Sequence, residues 1–375
     1  MTELCHICGK GSLVILPEFT LLKRVTSDCK PWPAGGRLGV CESCSTAQNI
    51  VDETWRRECR SIYSSYTIYH QAGGTEQPVF DLTSGAPAAR SDQFLKNLGK
   101  AVSLPEKGRL LDIGCGNGGF LRSFARIYPQ WKLSGSEYDA KYKAEVESIP
   151  GVEGCFVGDM SEFPGDFDAV SLIHVLEHLE SPGNVLQTVR GKLQDGGRLL
   201  VELPYYVENP FVLAVADHAT HFDAPRTCSL LASAGFSPTH VTSAWVPKEL
   251  SLVADKGSAA AAVNNLPAGD PFAAIRWLGS VRDDAAEIAN KAKHFGILGT
   301  SIAATWLYAE LRDRVEFFVD EDENRTGKKM FGKPVLAPME VPFDSDIYIS
   351  LPIKLAQNVE SRLRNVPGRY HVPPD

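Results

Sequence analysis

The chain has 375 residues, 43% of them hydrophobic and 22% charged, with 38 Lys or Arg against 46 Asp or Glu and a net charge of -8. That length argues for two or three domains rather than one, and the acidic balance weighs against a polyanionic partner, whose phosphates are neutralised by Lys and Arg. No apolar run approaches the ~20 residues that cross a bilayer, and the opening Met1-Thr2-Glu3-Leu4-Cys5 has no basic segment followed by an apolar one. The expectation is a cytoplasmic protein with neither membrane nor nucleic-acid partners.

Nine cysteines in a reducing compartment point to metal before disulfides. Cys5 and Cys8 form one C-x2-C pair and Cys41 and Cys44 another, each followed or preceded by glycines and prolines suited to tight turns. Two such pairs supply the four thiolates of a closed tetrahedral Zn2+ site, with Cys29 or His6 as substitutes for one ligand, or else they are unligated buried thiols. A site filled by four protein ligands leaves no open position, so this zinc would be structural and do no chemistry.

Beyond the cysteines the chain reads as helical and then irregular between 55 and 80, where Tyr63, Tyr66, Tyr69 and His70 precede Gly73-Gly74. Aromatic residues at three-residue spacing commonly face a core. The polar tips crowded into 66–71 leave a binding role open for Tyr66.

Residues 108–121 read as a buried strand (Leu110, Leu111, Ile113), a glycine turn and a helix from Phe120 to Ile127. Gly114, Gly116 and Gly119 satisfy the dinucleotide pattern G-x-G-x-x-G, which is weak alone. Asp112, two residues before the first glycine, is badly placed beside a pyrophosphate and well placed to hold a cationic amine. The turn resembles the first motif of the class I S-adenosylmethionine (SAM)-dependent methyltransferases, in which Gly114, Cys115 and Gly116 would let the backbone approach the cofactor's methionine moiety. Downstream, Trp131 to Ser136 reads as a second strand ending at Glu137-Tyr138, 25 residues after Asp112, where a carboxylate can accept both ribose hydroxyls. The stretch 155–160 resembles that family's third cofactor motif, which implies Asp159 on the adenine amino group and Met160 against the ring. Phe167 to Ile173 reads as the fourth strand, leading to His174 and a helix, and 196–203 as a glycine turn into the fifth.

Between 204 and 225 the alternation of strand and helix lapses, and Asp217-His218 and His221-Phe222-Asp223 follow an apolar stretch. A histidine of near-neutral pKa can act as general base with a neighbouring carboxylate to orient it; structural hydrogen bonding and a metal pair at i and i+3 are the alternatives. The last third reads as strand-like from Val241 to Val253, a low-complexity linker over 255–269, a helix through Phe272, Ile275, Leu278 and Val281, and then strand, glycine turn (Gly296, Gly299), helix and strand up to Asp320. That order is a second Rossmann-like unit without a second run of methyl-donor motifs, its glycines serving either packing or approach to a phosphate.

Taken over its whole length the chain resembles the three-domain sugar C-methyltransferases that act on nucleotide-linked deoxyhexoses. The cysteine pairs, the central motifs, the turn Gly296 to Ser301 and the stretch 319–327 with Pro334-Val335 carry the likeness. It implies an α/β protein with a zinc module at 1–80, a class I methyltransferase sheet at 81–254 and a Rossmann-like domain at 255–375. It also implies a base that removes the proton beside a sugar keto group, so that the enolate attacks the sulfonium methyl. The family's catalytic segment reads Glu-His and then Tyr-Phe. Asp217-His218 and His221-Phe222 keep the histidine, shorten the carboxylate and replace the tyrosine.

The expected roles are His218 as base, Asp217 orienting it, His221 or Tyr66 bonding the carbonyl oxygen, and His174 as a further candidate at the cofactor-domain strand end. A small-molecule acceptor, a nucleotide sugar on this resemblance, is expected; the accepting atom and the oligomeric state stay open. O- or N-methylation of another metabolite, RNA methylation and a cofactor-binding scaffold without catalysis are the rivals. Residues 1 to 60 weigh against RNA, with eight Lys or Arg against seven Asp or Glu.

Overall fold

The computed structural model describes residues 4–66, 76, 78–80, 87–257 and 265–375. Tyr69, His70 and Gly73-Gly74, noted above, lie outside them.

The first part of the chain is a small β-rich unit. It comprises β1 (Leu13–Ile15), β2 (Arg24–Val25), β3 (Pro31–Trp32), β4 (Leu38–Cys41), β5 (Ala47–Asn49) and α1 (Glu53–Ser64). The Asp52 side chain caps α1 by accepting from the Trp55 N–H at 2.9 Å, the usual remedy for orphan donors at a helix start. A hairpin of β6 (Pro78–Phe80) and β7 (Pro87–Ala89) leads to α2 (Arg90–Ala101).

The central sheet is built from β8 (Arg109–Ile113), α3 (Gly119–Ile127), β9 (Lys132–Glu137), α4 (Lys143–Glu147), β10 (Val152–Val157), β11 (Phe167–Ile173), α5 (Pro182–Lys192) and β12 (Leu193–Pro204). After β13 (Thr220–His221) and α6 (Ala224–Ser233) it is completed by β14 (Phe236–Thr242) and β15 (Glu249–Lys256). Its order is β10-β9-β8-β11-β12-β15-β14, with β15 antiparallel to both neighbours and the other pairs parallel. Parallel strands covered on both faces should read as continuous apolar runs, and Leu110, Leu111, Ala169, Val170, Leu199 and Leu200 are fully buried. The run Val241 to Val253, expected as one strand, is two antiparallel strands, because the connection between them carries apolar Trp245 and Val246 into the core and so continues the hydrophobic pattern through a turn.

The C-terminal part contains α7 (Pro271–Lys291), β16 (His294–Leu298), α8 (Ile302–Leu311), β17 (Phe317–Val319), β18 (Lys329–Met330), β19 (Lys333–Leu336), β20 (Ser345–Ile349), α9 (Ile353–Leu363) and β21 (Arg369–His371). Its sheet order, β18-β19-β17-β16-β20-β21, is parallel apart from the β18–β19 pair, a second Rossmann-like arrangement. The chain is therefore mixed α/β, with a methyltransferase-type sheet at its centre.

Two features tie the parts together. The N-terminal sheet has the order β1-β4-β5-β13, so its last strand comes from residues 220–221, far along the chain. One apolar core joins Leu16, Phe19 and Leu38 to Phe211 and Leu213 and then to Trp306 and Leu307 of α8, and the Trp306 indole N–H donates to Lys23 O at 3.0 Å. Burying an aromatic side chain of that size contributes roughly 2–3 kcal/mol. Among the described residues no helix is long and apolar enough to cross a membrane.

Candidate functional site

A cleft of about 340 Å³ is lined by all three parts of the chain: Ser27 to Cys29 and Tyr66 from the N-terminal unit, Asp112, Gly114 to Asn117, His174, Glu177, His178 and His218 from the middle, and Ser301 to Ala303, Leu351 and Pro352 from the C-terminal part.

The lining includes the glycine turn after β8. Gly114, Gly116 and Gly118 all have positive φ (66°, 56° and 84°), which L side chains seldom adopt, so every second position of the turn, on either side of Cys115 and Asn117, carries no side chain. A Cβ on Gly114 would stand 2.6 Å from Val175 Cγ2. Asp112 is buried and accepts from the Ser171 hydroxyl at 2.7 Å. Burial outweighs that bond and pushes its carboxyl up to about 7. The Glu137 carboxylate reaches back to the Gly116 N–H at 2.5 Å and also accepts from Tyr138 N, while burial raises its pKa. A buried carboxylate under a glycine turn and a second one at the next strand end suit a ligand with a cationic amine and vicinal hydroxyls. Glu137, Tyr138, Asp159 and Met160 lie outside the cleft lining. Tyr138 and Asp159 are exposed, and Asp159 caps the short turn Met160–Glu162 through Ser161 N at 2.8 Å.

The lining also holds His174, His178 and His218. His218 is 3% exposed, and burial, with help from His178, His221 and His174, holds its pKa well below the ordinary histidine value, so its ring is neutral. His174 follows β11 with φ 55°, a strained backbone for a non-glycine residue. Its ring lies 3.4 Å from Glu177 and 3.5 Å from both Glu202 and Glu249. Burial and Arg90 push its pKa down, yet the three carboxylates prevail and raise it to about 9. Arg90 joins the same network, 3.2 Å from Glu202 and 3.5 Å from Glu76.

Three expectations need correction in geometry. Asp217 does not reach the His218 ring; its carboxylate accepts from Ser27 N at 2.8 Å and Ser27 Oγ at 2.5 Å and lies 3.6 Å from His178 Nδ1, so its charge bears on His178. His221 is absent from the cleft lining, because β13 buries it behind His218, ring centroids 5.9 Å apart, where burial lowers its pKa to about 3. Tyr66 does line the cleft, 3.4 Å from Ser27 Oγ. The metal alternative for His218 and His221 is also regrouped: Glu177, His178 and His218 bring one ligand atom each within 4.8 Å of one another, without His221. Sequence reasoning missed Glu177, His178, Ser27 and Arg90; of these only the first two carried a local signal, standing just after a strand end.

Cys5, Cys8, Cys41 and Cys44 converge, with Sγ atoms within 4.8 Å of one another and two edges of 3.7 Å (Cys5–Cys44) and 3.6 Å (Cys8–Cys41). A Zn–S bond of ~2.3 Å makes tetrahedral S–S edges of about 3.8 Å, so the four thiols fit one zinc ion.

Residues 87–241 match the family model described as a methyltransferase domain. The ubiquinone biosynthesis O-methyltransferase of Xylella fastidiosa (strain M23) is 28% identical over 179 residues, covering 44% of this chain and 66% of that protein. The protein of the same name from Xanthomonas axonopodis pv. citri (strain 306) is 31% identical over 117 residues, 30% of this chain and 49% of that one. The chain thus spans less than two thirds of these relatives. Solved structures with similar coordinates include the [4+2]-cyclase SpnF (17% identity, TM-score 0.41, covering 50% of this chain and 90% of that one) and the mitomycin 7-O-methyltransferase MmcR (18%, 0.39, 45% and 53%).

Proposed function

We propose that the protein is a SAM-dependent methyltransferase that C-methylates a nucleotide-linked keto-deoxysugar through a base-generated enolate, within a three-domain chain divided near residues 80 and 255. The observation that carries this reading is the cleft itself, whose lining combines a glycine turn over buried Asp112 with a buried, neutral histidine, His218. The methyltransferase-domain match over 87–241 supports the donor, and the likeness to O-methyltransferases keeps oxygen as the rival accepting atom. Small-molecule methylation also agrees with the acidic net charge.

In this reading Asp112 holds the cofactor's ammonium, the turn at Gly114, Cys115 and Gly116 cradles its methionine part, Glu137 takes the ribose hydroxyls, and Asp159 and Met160 meet the adenine. When bound, the cofactor supplies an activated sulfonium methyl. The protein's work is then alignment, for which ideal intramolecular models give roughly 7–11 kcal/mol, and generation of the nucleophile. His218, neutral at cellular pH, removes the proton beside the keto group. Tyr66 donates to the oxygen as it gains charge. His178, whose Nδ1 lies 3.1 Å from Tyr63 Oη and 3.0 Å from Asp217 O, packs edge-on with the His218 ring and so steadies it. His174, cationic among Glu177, Glu202 and Glu249, closes the cofactor side of the cleft.

The nucleotide part of the acceptor is assigned to the C-terminal sheet, whose β16–α8 turn brings Ser301 to Ala303 into the same cleft beside Lys248. Gly299 there has φ 100°. The four cysteines hold zinc as a closed site with no part in the chemistry.

The deciding experiment incubates the protein with S-adenosylmethionine and a panel of nucleotide keto-deoxysugars in D2O. C-methylation through an enolate releases the sugar C–H proton to solvent and puts the methyl in its place, while enolate that is reprotonated leaves deuterium at that carbon in the recovered unmethylated sugar; both are lost in His218→Ala with cofactor affinity intact. Methyl transfer without exchange would move the accepting atom to oxygen or nitrogen.

A further inference from the structure

The segment that carries His218 is held almost residue by residue by the N-terminal unit. Val215 bridges Val25, and Ala216 N donates to Val25 O at 2.8 Å while Ala216 O accepts from the Trp55 indole at 2.9 Å. The His218 carbonyl accepts from Asn49 Nδ2 at 2.8 Å, and Asn49 N donates to Ala219 O at 2.9 Å. Thr220 and His221 then pair with β5.

The first cysteine knuckle reaches this segment directly and the second reaches the start of the helix that follows it. His6, inside the first knuckle, shares a 2.6 Å hydrogen bond between its Nε2 and Thr220 Oγ1. Cys44 O, in the second, accepts from Arg226 Nε at 3.2 Å, just after the segment enters α6. Cys5 Sγ also lies 3.4 Å from Gln48 Oε1, on the strand that pairs with Thr220. A two-residue strand cannot hold its own register, so the order of residues 216–221 comes from such partners, joined by Ser27 N on the Asp217 carboxylate at 2.8 Å and His178 Nδ1 on Asp217 O at 3.0 Å.

We propose that the four-cysteine unit positions His218: the metal fixes two knuckles, and His6–Thr220, Asn49–His218 and Cys44–Arg226 transmit that fixed geometry to the main chain of 216–221. His6, Asn49 and Thr220 are positioning residues. This deepens the reading of His218 as base and gives the structural zinc a task in the cleft.

The test needs neither turnover nor an acceptor, so its outcome stands apart from that of the proposed reaction. In zinc-replete protein, Thr220→Val keeps the side-chain volume and removes the hydroxyl, whereas Thr220→Ser keeps the hydroxyl. Amide hydrogen exchange over 216–221, the His218 ring resonances and calorimetric affinity for S-adenosylhomocysteine are measured in each. Thr220→Val should raise exchange over 216–221 at least tenfold and shift the His218 ring signals, with affinity within twofold of the parent, and Thr220→Ser should restore both. Chelator-stripped protein should show the same local loss of protection. Exchange within twofold of the parent in Thr220→Val, failure of Thr220→Ser to restore it, or a tenfold parallel loss of S-adenosylhomocysteine affinity would each overturn the proposal.

Discussion

His178 meets His218 edge-on, with ring centroids 4.7 Å apart and planes at 90°. Burial first, and then the neighbouring rings of His178, His221 and His174, hold His218 well below the ordinary histidine value. A depressed histidine stays neutral where a free one, with a pKa of about 6.5, would gain charge. The His218 ring signals should therefore stay flat between pH 8 and 6 in an NMR titration. His178→Gln removes one of the groups that resist protonation and should move the His218 titration upward. An ordinary midpoint near 6.5 in the parent protein would dismiss the buried neutral base.

Asp112 offers a second pH signature. Its carboxyl, pushed up to about 7 chiefly by burial, is raised above the unfolded value, so it ionises only as pH rises through about 7. A ligand with a cationic amine binds the ionised form, and S-adenosylhomocysteine affinity should rise between pH 6 and 8. Asp112→Asn should weaken binding at pH 8 by tenfold or more and flatten the pH dependence. The same substitution leaves the unliganded fold no less stable at pH 8, because it spares a charge from burial. Calorimetry at three pH values and a urea melt check both; pH-independent affinity in the parent would remove Asp112 from the amine.

The glycine turn of this cleft could be read along the chain because its parts are local. The strand, the turn at Gly114 to Gly118 and the helix after it are consecutive, and Asp112 sits two residues from the turn. The surroundings of His218 could not. Ser27 reaches Asp217 across 190 positions and Asn49 reaches His218 across 169, and no periodicity encodes such pairs. β13 has only two residues, too few for an alternating pattern, and its partner strand lies in the cysteine unit. His218 was visible as a residue type, but two groups beside it, Glu177 and His178, come from about 40 positions earlier in the chain. Asp217 seemed to orient His218 because the two adjoin in sequence, yet Ser27 supplies two donors to that carboxylate and fixes it on His178's side.

Gly114 is constrained twice. Its φ of 66° costs an L residue roughly 1–2 kcal/mol, and a Cβ there would stand 2.6 Å from Val175 Cγ2. Gly114→Ala should therefore lower stability by about 2–3 kcal/mol, with a loss of S-adenosylhomocysteine affinity as the turn shifts. Val175→Ala relieves the contact and leaves the backbone strain, so the double variant should recover part of the stability lost in Gly114→Ala. Chemical denaturation of the four proteins in a double-mutant cycle measures this, and simple additivity would show that Val175 is not the obstacle.

His174 sets a pH window for stability. Its folded pKa is raised to about 9 by Glu249, Glu177 and Glu202 against the opposing effects of burial and Arg90. A raised histidine stabilises fully below its unfolded pKa of about 6.5, and that contribution is lost as pH climbs through about 9. Glu249, raised by burial to about 7, loses its share in the same direction but completes most of the loss by pH 8. The descent from pH 8 to 9.5 thus isolates His174, whose whole contribution is at most roughly 3 kcal/mol. The urea midpoint of the parent should fall over that interval. In His174→Gln, which carries no titrating proton, the curve should be nearly flat there and start from a lower value at pH 7, since three carboxylates have lost their cation. A parent curve that is level or rising from pH 8 to 9.5 would mean that His174 is already neutral at pH 8 and that Arg90 alone balances the buried acids.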